Sequence, residues 1–478
     1  MGKGTASVSV LGKMAYGAGN LGFGAAFQVL GAYAMFFATD ILGISGIMAG
    51  WAIGIGTIWD AVIDPVTGHI SDITRSKRFG RRHAYLLFGG IGMSISIALF
   101  WCVPAGWEFA AKFSWFFIWM MLFRTFSAVF STPYNALGAE LCEDYNERTA
   151  LQGYKTAFFV LGLLFPSIVV TTIFFRPTPA YVQGQFNPDA YPQIGIALGI
   201  LALALTLVCF AGTLKHIKRL PKPAETREKG YFGKLYGSLL AAMKNKDFRH
   251  VAFGYLFINI ASALVAGLGI YVFTYAFKMT NLEIAFVFGG LFIIAVCSQP
   301  LWWLISRKLD KKPALLTAMA ACLFGMACFL VILFIREEAI GKPYLFLPFM
   351  LAAGAGVGGV LTLPHSMVAD TIDKTELETG ERKDGTFFGC LTFLYKFSQA
   401  VAMIAMGVLI DVIKQSSKDA SLPLGLVLCI GCMLSFFIAA AVVAGYKLKK
   451  SDVEEIQKKI ASRKEAVKNG VGQVAEGE

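Results

Sequence analysis

The sequence has few charged residues and no polar stretch long enough to form a soluble domain. Of its 478 residues, 15% are Asp, Glu, Lys or Arg, whereas 56% are hydrophobic and 14% are aromatic. Soluble domains carry about 25% charged residues. The composition therefore excludes a soluble globular protein and indicates a polytopic membrane protein.

The sequence also lacks clustered metal ligands and activated nucleophiles. Its nine cysteines and five histidines are scattered. The one short cysteine spacing, Cys429 to Cys432, lies in an apolar stretch without a histidine or an acid. The glycine-rich runs 17–24 and 354–359 are not followed by the lysine of a phosphate-binding loop. We therefore predict that the protein is not an enzyme and has no cofactor or nucleotide site.

Apolar stretches dominate what is present. Twelve of them reach about 20 residues, the length that crosses a bilayer as a helix. A polar, basic interruption separates the first six from the last six. We predict an all-α membrane protein of twelve transmembrane helices, with one six-helix bundle over residues 1–214 and another over 251–446. Residues 215–250 are predicted to link the bundles, and 447–478 to form a tail.

Lysine and arginine are unevenly distributed among the loops. Most of the 43 fall in the tail and in loops that lie on the same side as both termini. The positive-inside rule therefore predicts cytoplasmic termini, linker and tail in a plasma or inner membrane. These loops also account for the net charge of +12, so we expect no nucleic-acid partner.

Two aspartates interrupt the second apolar stretch. Asp60 and Asp64 stand at i and i+4, so their carboxylates share one helix face. A charge near the bilayer centre costs about 3 kcal/mol or more on insertion scales. Two such acids become neutral either by taking up protons or by binding a monovalent cation, and both routes couple transport to an ion gradient. No other metal is expected.

Three cationic residues also lie inside predicted helices: Arg124, Lys155 and Lys396. Buried charges are rare and are usually functional. A structural alternative stays open, in which Asp60 pairs with Arg124 and Asp64 with Lys396 to hold helices together. For Lys155, which lies close to the cytoplasmic end of its helix, we favour a structural role.

Polar and aromatic residues at other helical positions are predicted to line a central cavity for a polar solute. With Arg124, the candidates are Asn20, Gln28, Ser131, Tyr134, Asn135, Tyr154, Asn259, Gln299, Trp302, His365 and Gln399.

Several of these residues stand in motifs of a known family. The run Trp59-Asp60-Ala61-Val62-Ile63-Asp64-Pro65, the basic loop behind it, the segment 132–137 and Lys396 resemble the glycoside-pentoside-hexuronide:cation symporters. The resemblance covers essentially the whole chain. It implies the major facilitator superfamily fold, in which two six-helix bundles rock around a central site.

The resemblance also implies roles for individual residues. In that family the two acids of the second helix form the cation site, and a lysine of the eleventh helix, here Lys396, lies beside it. The basic loop between the second and third helices locks the cytoplasmic side, which implies a gating role for Asp72, Arg81 and Arg82.

Departures from the family bear on the substrate. Members that carry melibiose hold it with acids in the first and fourth helices, a tryptophan in the fourth and an arginine in the fifth. The matching positions here are Gly24, Ser131, Asn135 and Thr156. We therefore do not expect a galactoside.

Further departures bear on the ion. Sodium-using members often have an asparagine where this chain has Ile63, and a hydroxyl near Ala128. Arg124 stands where other facilitators keep an arginine that tunes acid pKa values. We therefore expect protons to be favoured over sodium.

The resulting hypothesis is a secondary active symporter. It imports a sugar, glycoside or related polar solute with a proton or sodium ion, and its partners are that solute, the cation and membrane lipids. The family also includes animal sodium-dependent lysophospholipid symporters, so a lysophospholipid or another amphipathic solute is the alternative.

Overall fold

A computed structural model of the protein describes residues 8–74, 76, 79–104, 106–141, 145–217, 237, 242–416 and 419–468. We number its long helices α1–α13 in chain order. The first half contains α1 (Val10–Phe36, continued as a π-helix by Phe37–Ile41), α2 (Gly46–Ile73), α3 (His83–Trp101), α4 (Phe109–Glu140), α5 (Tyr145–Phe165, continued as a π-helix by Pro166–Phe174) and α6 (Ala190–Leu214).

The second half repeats this organisation and adds a helical tail. It contains α7 (Lys246–Tyr275), α8 in two segments (Asn281–Cys297 and Gln299–Leu309), α9 (Lys311–Phe334), α10 (Leu347–Thr379), α11 (Asp384–Ser416), α12 (Ser421–Val443) and α13 (Lys450–Lys468).

Hydropathy and length assign twelve of these helices to the membrane. Within the described residues, eleven helices are long and apolar enough to cross a bilayer, and the two segments of α8, bent by 43°, together make a twelfth. The bend lies next to Pro300, which cannot donate a backbone hydrogen bond. The prediction of an all-α protein with twelve transmembrane helices is confirmed.

Short polar side chains fix where several helices begin. The hydroxyl of Ser9 accepts a hydrogen bond from the amide of Gly12 at the start of α1. Asn245 caps α7 in the same way, and Thr280 forms a capping box with Glu283 at the start of α8. These caps satisfy amide groups that a helix cannot pair internally.

The helices form two bundles. Helices α1–α6 pack against one another, as do α7–α12, and the bundles meet along α2 with α11, α1 with α7, and the end of α5 with α8. We call the end where α1 begins and α13 lies the terminal face, and the opposite end the distal face. Much of the predicted linker 215–250 lies outside the described residues, so the domain boundaries stay a prediction.

Helices α2 and α11 approach each other closely because glycines line their contact. A Cβ atom at Gly46 would lie 2.5 Å from the carbonyl oxygen of Gly407, and one at Gly50 would lie 2.7 Å from that of Met403. Both distances are too short for any side chain. This approach brings the central part of α11 against the part of α2 that carries the aspartates.

Candidate functional site

The two aspartates of α2 lie at the interface between the bundles. Asp60 is 7% exposed, and the side chain of Asp64 is 28% exposed. Pro65 follows directly and lacks an amide N–H, so the carbonyl of Ala61 loses its usual helical donor. The two carboxylates therefore belong to a helical turn with an interrupted hydrogen-bond ladder.

Lys396 of α11 lies between the two carboxylates. Its Nζ atom is 3.0 Å from Asp60 Oδ2 and 2.5 Å from Asp64 Oδ2. It also donates a hydrogen bond to the main-chain oxygen of Asp60 at 3.1 Å. Three oxygens thus surround the ammonium group as they would surround a bound monovalent cation.

Arg124 of α4 completes the charge balance. Its Nη1 atom is 3.7 Å from Asp60 Oδ2, and its guanidinium lies 4.9 Å from the ring centre of Phe27. Its Nε atom has no hydrogen-bond partner among the described residues. The charges of the two ionised acids, Asp60 and Asp64, and of the two bases, Arg124 and Lys396, therefore sum to zero in this conformation.

Thr132 of α4 adds a neutral oxygen that the sequence interpretation missed. Its hydroxyl donates to Asp64 Oδ1 at 3.1 Å. We expected protons because neutral side-chain oxygens are missing at Ile63 and near Ala128, which lies one helical turn before Thr132 on α4. The Thr132 hydroxyl in contact with Asp64 supplies such an oxygen and weakens this expectation. The only sequence signal was a threonine directly before Pro133.

A cavity of about 70 Å³ borders the distal side of this cluster. It is formed by α1, α2, α4 and α11, and therefore by both bundles. Its polar lining comes from Thr57, Asp60, Arg124, Tyr395, Lys396 and Gln399. The remaining lining is apolar: Phe27, Leu30, Gly31, Ala34, Met35, Ile53, Met120 and Met403.

Of the predicted cavity residues, Arg124 and Gln399 belong to this lining. The side-chain amide of Gln399 donates to the carbonyl of Asn259 at 3.2 Å. His365 is exposed, and its ring lies 5.3 Å from that of Tyr255. Asn135 is exposed on α4 and accepts a hydrogen bond from Lys155. Three more are half-buried: Gln28, Ser131 and Tyr154.

Four predicted cavity residues are engaged in helix packing instead. Asn20 donates to the carbonyl of Lys155, and buried Tyr134 stacks on Tyr16 with a ring-centre distance of 4.4 Å. Trp302 donates to the carbonyl of Ala355. The same crossing of α8 and α10 contains Gln299, whose amide donates to a backbone carbonyl of α10. Interhelical hydrogen bonds satisfy these polar groups away from the central cavity.

The three predicted gating residues converge at the terminal face. Arg82 lies 2.5 Å from Asp72, and both Arg81 and Arg82 bind Glu140 Oε1 at 2.8 Å. Glu140, at the end of α4, is thus the common partner of the two arginines. The other basic residues of this loop, 75, 77 and 78, lie outside the described residues.

The carboxy-terminal bundle has its own charge cluster on this face. Lys311 is 2.7 Å from Asp370, and Arg382 is 2.8 Å from both Asp373 and Glu376. Hydrogen bonds to Glu376, Asp373 and Asp384 raise the pKa of the Arg382 guanidinium, which therefore stays charged. On the terminal face, the polar contacts between described residues lie within one bundle or the other.

Contacts between the bundles concentrate at the distal face. Lys414 of α11 is 3.1 Å from Asp40 of α1. The hydroxyls of Thr39 and Tyr271 are 2.5 Å apart, and Asn281 donates to the carbonyl of Phe175 at 2.6 Å. The distal face is therefore closed across the bundle interface.

The sequence matches the family described as MFS/sugar transport protein over residues 15–448. It is 26% identical to an uncharacterized symporter of Synechocystis, over 84% of this chain and 85% of that one. It is 23% identical to the sodium-dependent lysophosphatidylcholine symporter 1 of the mouse, over 87% and 80%.

Solved structures show the same fold. A D-xylose–proton symporter superposes with a TM-score of 0.64 at 15% identity, covering 91% of this chain and 99% of that one. The symporter resemblance and the major facilitator fold expected from the sequence are confirmed. The chain belongs to the MFS/sugar transport protein family and is an integral membrane protein of the cation-coupled transporter type.

Proposed function

We propose that the protein is a secondary active symporter that imports a sugar, glycoside or related polar organic solute with one monovalent cation. The observation that carries the proposal is the position of Lys396, whose ammonium occupies the space between Asp60 and Asp64. An incoming cation and this ammonium compete for the same carboxylates. Cation binding therefore releases α11 from α2, which links ion occupancy to movement of the bundles.

The charge balance supports a stoichiometry of one cation. When Lys396 leaves, Asp60 keeps the nearby charge of Arg124, and the remaining three groups sum to −1. One proton or one sodium ion restores neutrality, which a low-dielectric interior strongly favours. The ion is bound at Asp64, with Asp60 and the Thr132 hydroxyl as neighbouring oxygens.

The difference between the closed distal face and the terminal face supports an alternating-access mechanism. The distal face is closed by contacts across the bundles, whereas the terminal polar contacts between described residues stay within one bundle, and this contrast supports access to the central site from the terminal side. The excess of lysine and arginine in the loops supports a cytoplasmic terminal face, and hence an inward-facing conformation in a plasma or inner membrane. The gating role of Asp72, Arg81 and Arg82 is part of this proposal, because their cluster is positioned to engage the other bundle when the terminal face closes.

A lysophospholipid or another amphipathic solute is the second candidate. The mouse relative is named for sodium-dependent lysophosphatidylcholine symport, which supports this class as well as sugars. The closed distal face and the acid–lysine cluster fit either cargo.

The test is reconstitution in liposomes with a panel of pentosides, hexosides, uronides and lysolipids. Internal pH and sodium are recorded during uptake of each compound. We expect one class to evoke a proton or sodium signal and to accumulate against its gradient. That result identifies both the cargo class and the ion.

The decisive variant is Asp64→Asn. We expect it to abolish uphill accumulation and keep exchange between labelled and unlabelled substrate, because exchange requires no cation release. Asp189→Asn, exposed in the loop before α6, is the matched control and should behave as the unmodified protein. Uphill accumulation by Asp64→Asn would rule out the coupling role.

A further inference from the structure

The last segment of α8 places an exposed tryptophan next to two cations. Trp303 is 58% exposed, whereas its neighbour Trp302 is 3% exposed and donates to the carbonyl of Ala355 on α10. Four residues after Trp303, Arg307 lies over the indole ring, with its guanidinium carbon 4.7 Å from the ring centre. Lys308 follows and is also exposed. We call Trp303, Arg307 and Lys308 the α8 basic stripe.

The stripe lies at the terminal end of a membrane-crossing helix. The two segments of α8 together make one span, and Leu309 is its last residue. At 1.5 Å per residue, Trp303 is about 9 Å and Arg307 about 3 Å before that end. Leu301 and Leu304 beside the tryptophan are each 48% exposed. A tryptophan between exposed apolar residues and cations is typical of the boundary between acyl chains and headgroups.

No acid balances the charge of the stripe. Among the described residues, no carboxylate lies within 4.0 Å of the side-chain nitrogens of Arg307 or Lys308, and none of these nitrogens donates a hydrogen bond. Asp310 is the nearest acid in sequence, and its two oxygens accept from the amides of Lys311 and Lys450, at 2.6 and 2.9 Å. The side chain of Lys311, by contrast, is paired with an acid of α10. The stripe therefore keeps two positive charges with unused donors.

The direction of the Arg307 side chain argues against a purely structural role for its charge. Cations in the last turn of a helix stabilise the free carbonyl groups there, and in a membrane they usually extend towards water. Arg307 does the opposite, because its guanidinium folds back over Trp303, one turn nearer the membrane interior. The carbonyl oxygen of Arg307 is approached instead by Lys450 of α13, whose Nζ atom is 3.5 Å away.

A phosphate on an anionic lipid matches these donors. A guanidinium stacked on an indole keeps its edge N–H groups free, and these can bind two phosphate oxygens at once. The ammonium of Lys308, the next residue, offers three more donors to the same group. An anionic headgroup also supplies the charge that the stripe lacks. A zwitterionic headgroup brings its own cation, which the two positive charges repel.

We propose that the α8 basic stripe binds the phosphate of an anionic membrane phospholipid, with the acyl chains against the exposed leucines of α8. The occupant is a lipid and not soluble phosphate, because Leu301 and Leu304 continue the stripe as an apolar surface. The lipid is a resident ligand and not the cargo, so this inference does not depend on the proposed symport function.

Native mass spectrometry of the full chain, released from detergent micelles, tests the proposal. The protein is titrated with phosphatidylglycerol or with phosphatidylcholine of the same acyl chains, and the number of bound lipids gives a half-saturating concentration for each. We expect one phosphatidylglycerol to bind at a concentration about 25-fold below that of phosphatidylcholine, since each of the two cations contributes a factor of about five near a membrane surface.

Three variants separate the contributions. The double variant Arg307→Gln with Lys308→Gln should raise the half-saturating concentration of phosphatidylglycerol about 25-fold. Trp303→Leu stays apolar but no longer holds the guanidinium, and should raise it about two- to fivefold. The control, Lys458→Gln with Lys459→Gln, removes the same charge from exposed positions of α13 and should leave binding unchanged.

Equal binding of the two phospholipids would overturn the proposal. So would an equal loss of phosphatidylglycerol in the two double variants, because that result would indicate general attraction to a basic surface. Displacement of phosphatidylglycerol by an equal concentration of glycerol phosphate would assign the stripe to a soluble phosphate and would also overturn it. All the substituted side chains are exposed, so thermal unfolding of each variant should match that of the unmodified protein.

Discussion

Arg124 is the side chain that sets the net charge of the proposed cation site. It is 7% exposed and lies within ion-pair distance of Asp60, while Lys396 bridges both acids. When Lys396 leaves, Asp60, Asp64 and Arg124 together carry a net charge of −1. Without Arg124, the two carboxylates would carry a net charge of −2. The arginine thus limits how tightly the site holds its ion, and an ion held too tightly is released too slowly.

At the residue scale we predict that Arg124→Gln slows net uptake by about tenfold or more, since breaking a buried ion pair changes binding by several kcal/mol. Exchange of internal for external substrate should continue. Initial rates of both processes in proteoliposomes provide the measurement. Arg336→Gln, which removes an arginine paired with Asp419 beyond the distal end of α9, is the control. Equal loss of net uptake and exchange in a folded variant would contradict the role assigned to Arg124.

At the scale of elements, α11 caps the start of α2. Asp411 accepts hydrogen bonds from the amides of Gly46 at 2.6 Å and Ile47 at 2.9 Å. Ser45 also caps α2 from within its own bundle. The carboxylate interacts favourably with the positive end of the α2 dipole, and it does so only while the distal face is closed. Asp411 therefore stabilises the closed distal face directly.

We predict that Asp411→Asn opens the distal face more often, because a neutral amide interacts more weakly with the helix dipole and accepts at one oxygen instead of two. Hydrogen exchange followed by mass spectrometry should show faster exchange in the peptide that contains Gly46 and Ile47, by a factor of about five, the change expected for about 1 kcal/mol. Asp419→Asn is the matched control. Its carboxylate caps Ser421 of α12 within a single bundle. Unchanged exchange at Gly46 would contradict the prediction.

At the scale of the whole molecule, the two bundles are held together at one end. Glycines allow α2 and α11 to pack backbone against backbone near the distal face, and polar contacts of α1, α7 and α8 complete the closure. The charge clusters of the terminal face remain within their own bundles. The molecule is therefore arranged to pivot about its centre, where Lys396 connects α11 to α2.

We predict that Gly50→Trp prevents distal closure, because an indole cannot fit where a Cβ atom already lies 2.7 Å from the carbonyl of Met403. Spin labels at Glu108→Cys and Glu338→Cys, on a background without the nine native cysteines, should report a longer distance between the bundles. Transport should be lost. Gly106→Trp is the control, since open space surrounds Gly106 at the same face. An unchanged label distance would refute the pivot.

Hydropathy predicted the twelve helices because a membrane span is a local property of about 20 residues. The importance of the acid pair could also be predicted from the sequence, because two charges on one helix face in an apolar stretch require neutralising partners. A pair between Asp64 and Lys396 was one alternative from the residues alone, whereas the position of Lys396 beside both acids was implied by the family resemblance, because α11 lies more than 300 residues away in sequence.

Other parts of the site could not be read from the sequence. Thr132 looks like any helical threonine until α4 is placed against Asp64. Polar residues such as Asn20 and Trp302 fit a cavity lining and a helix contact equally well, and only the packing of neighbouring helices separates the two. The closed distal face depends on pairs such as Asp40 with Lys414, which no local pattern relates.

The ammonium of Lys396 has a consequence for how a cell's membrane voltage acts on the transporter. With Lys396 between the acids, the four ionised groups of the empty site carry no net charge, so their passage through the membrane field performs no electrical work. A single unbalanced charge would gain or lose about 2.3 kcal/mol for each 100 mV. Under the proposed symport mechanism, the resting voltage therefore does not hold the site on one side of the membrane while Lys396 lies between the acids, and any electrical driving force acts on the cargo-bearing half of the cycle.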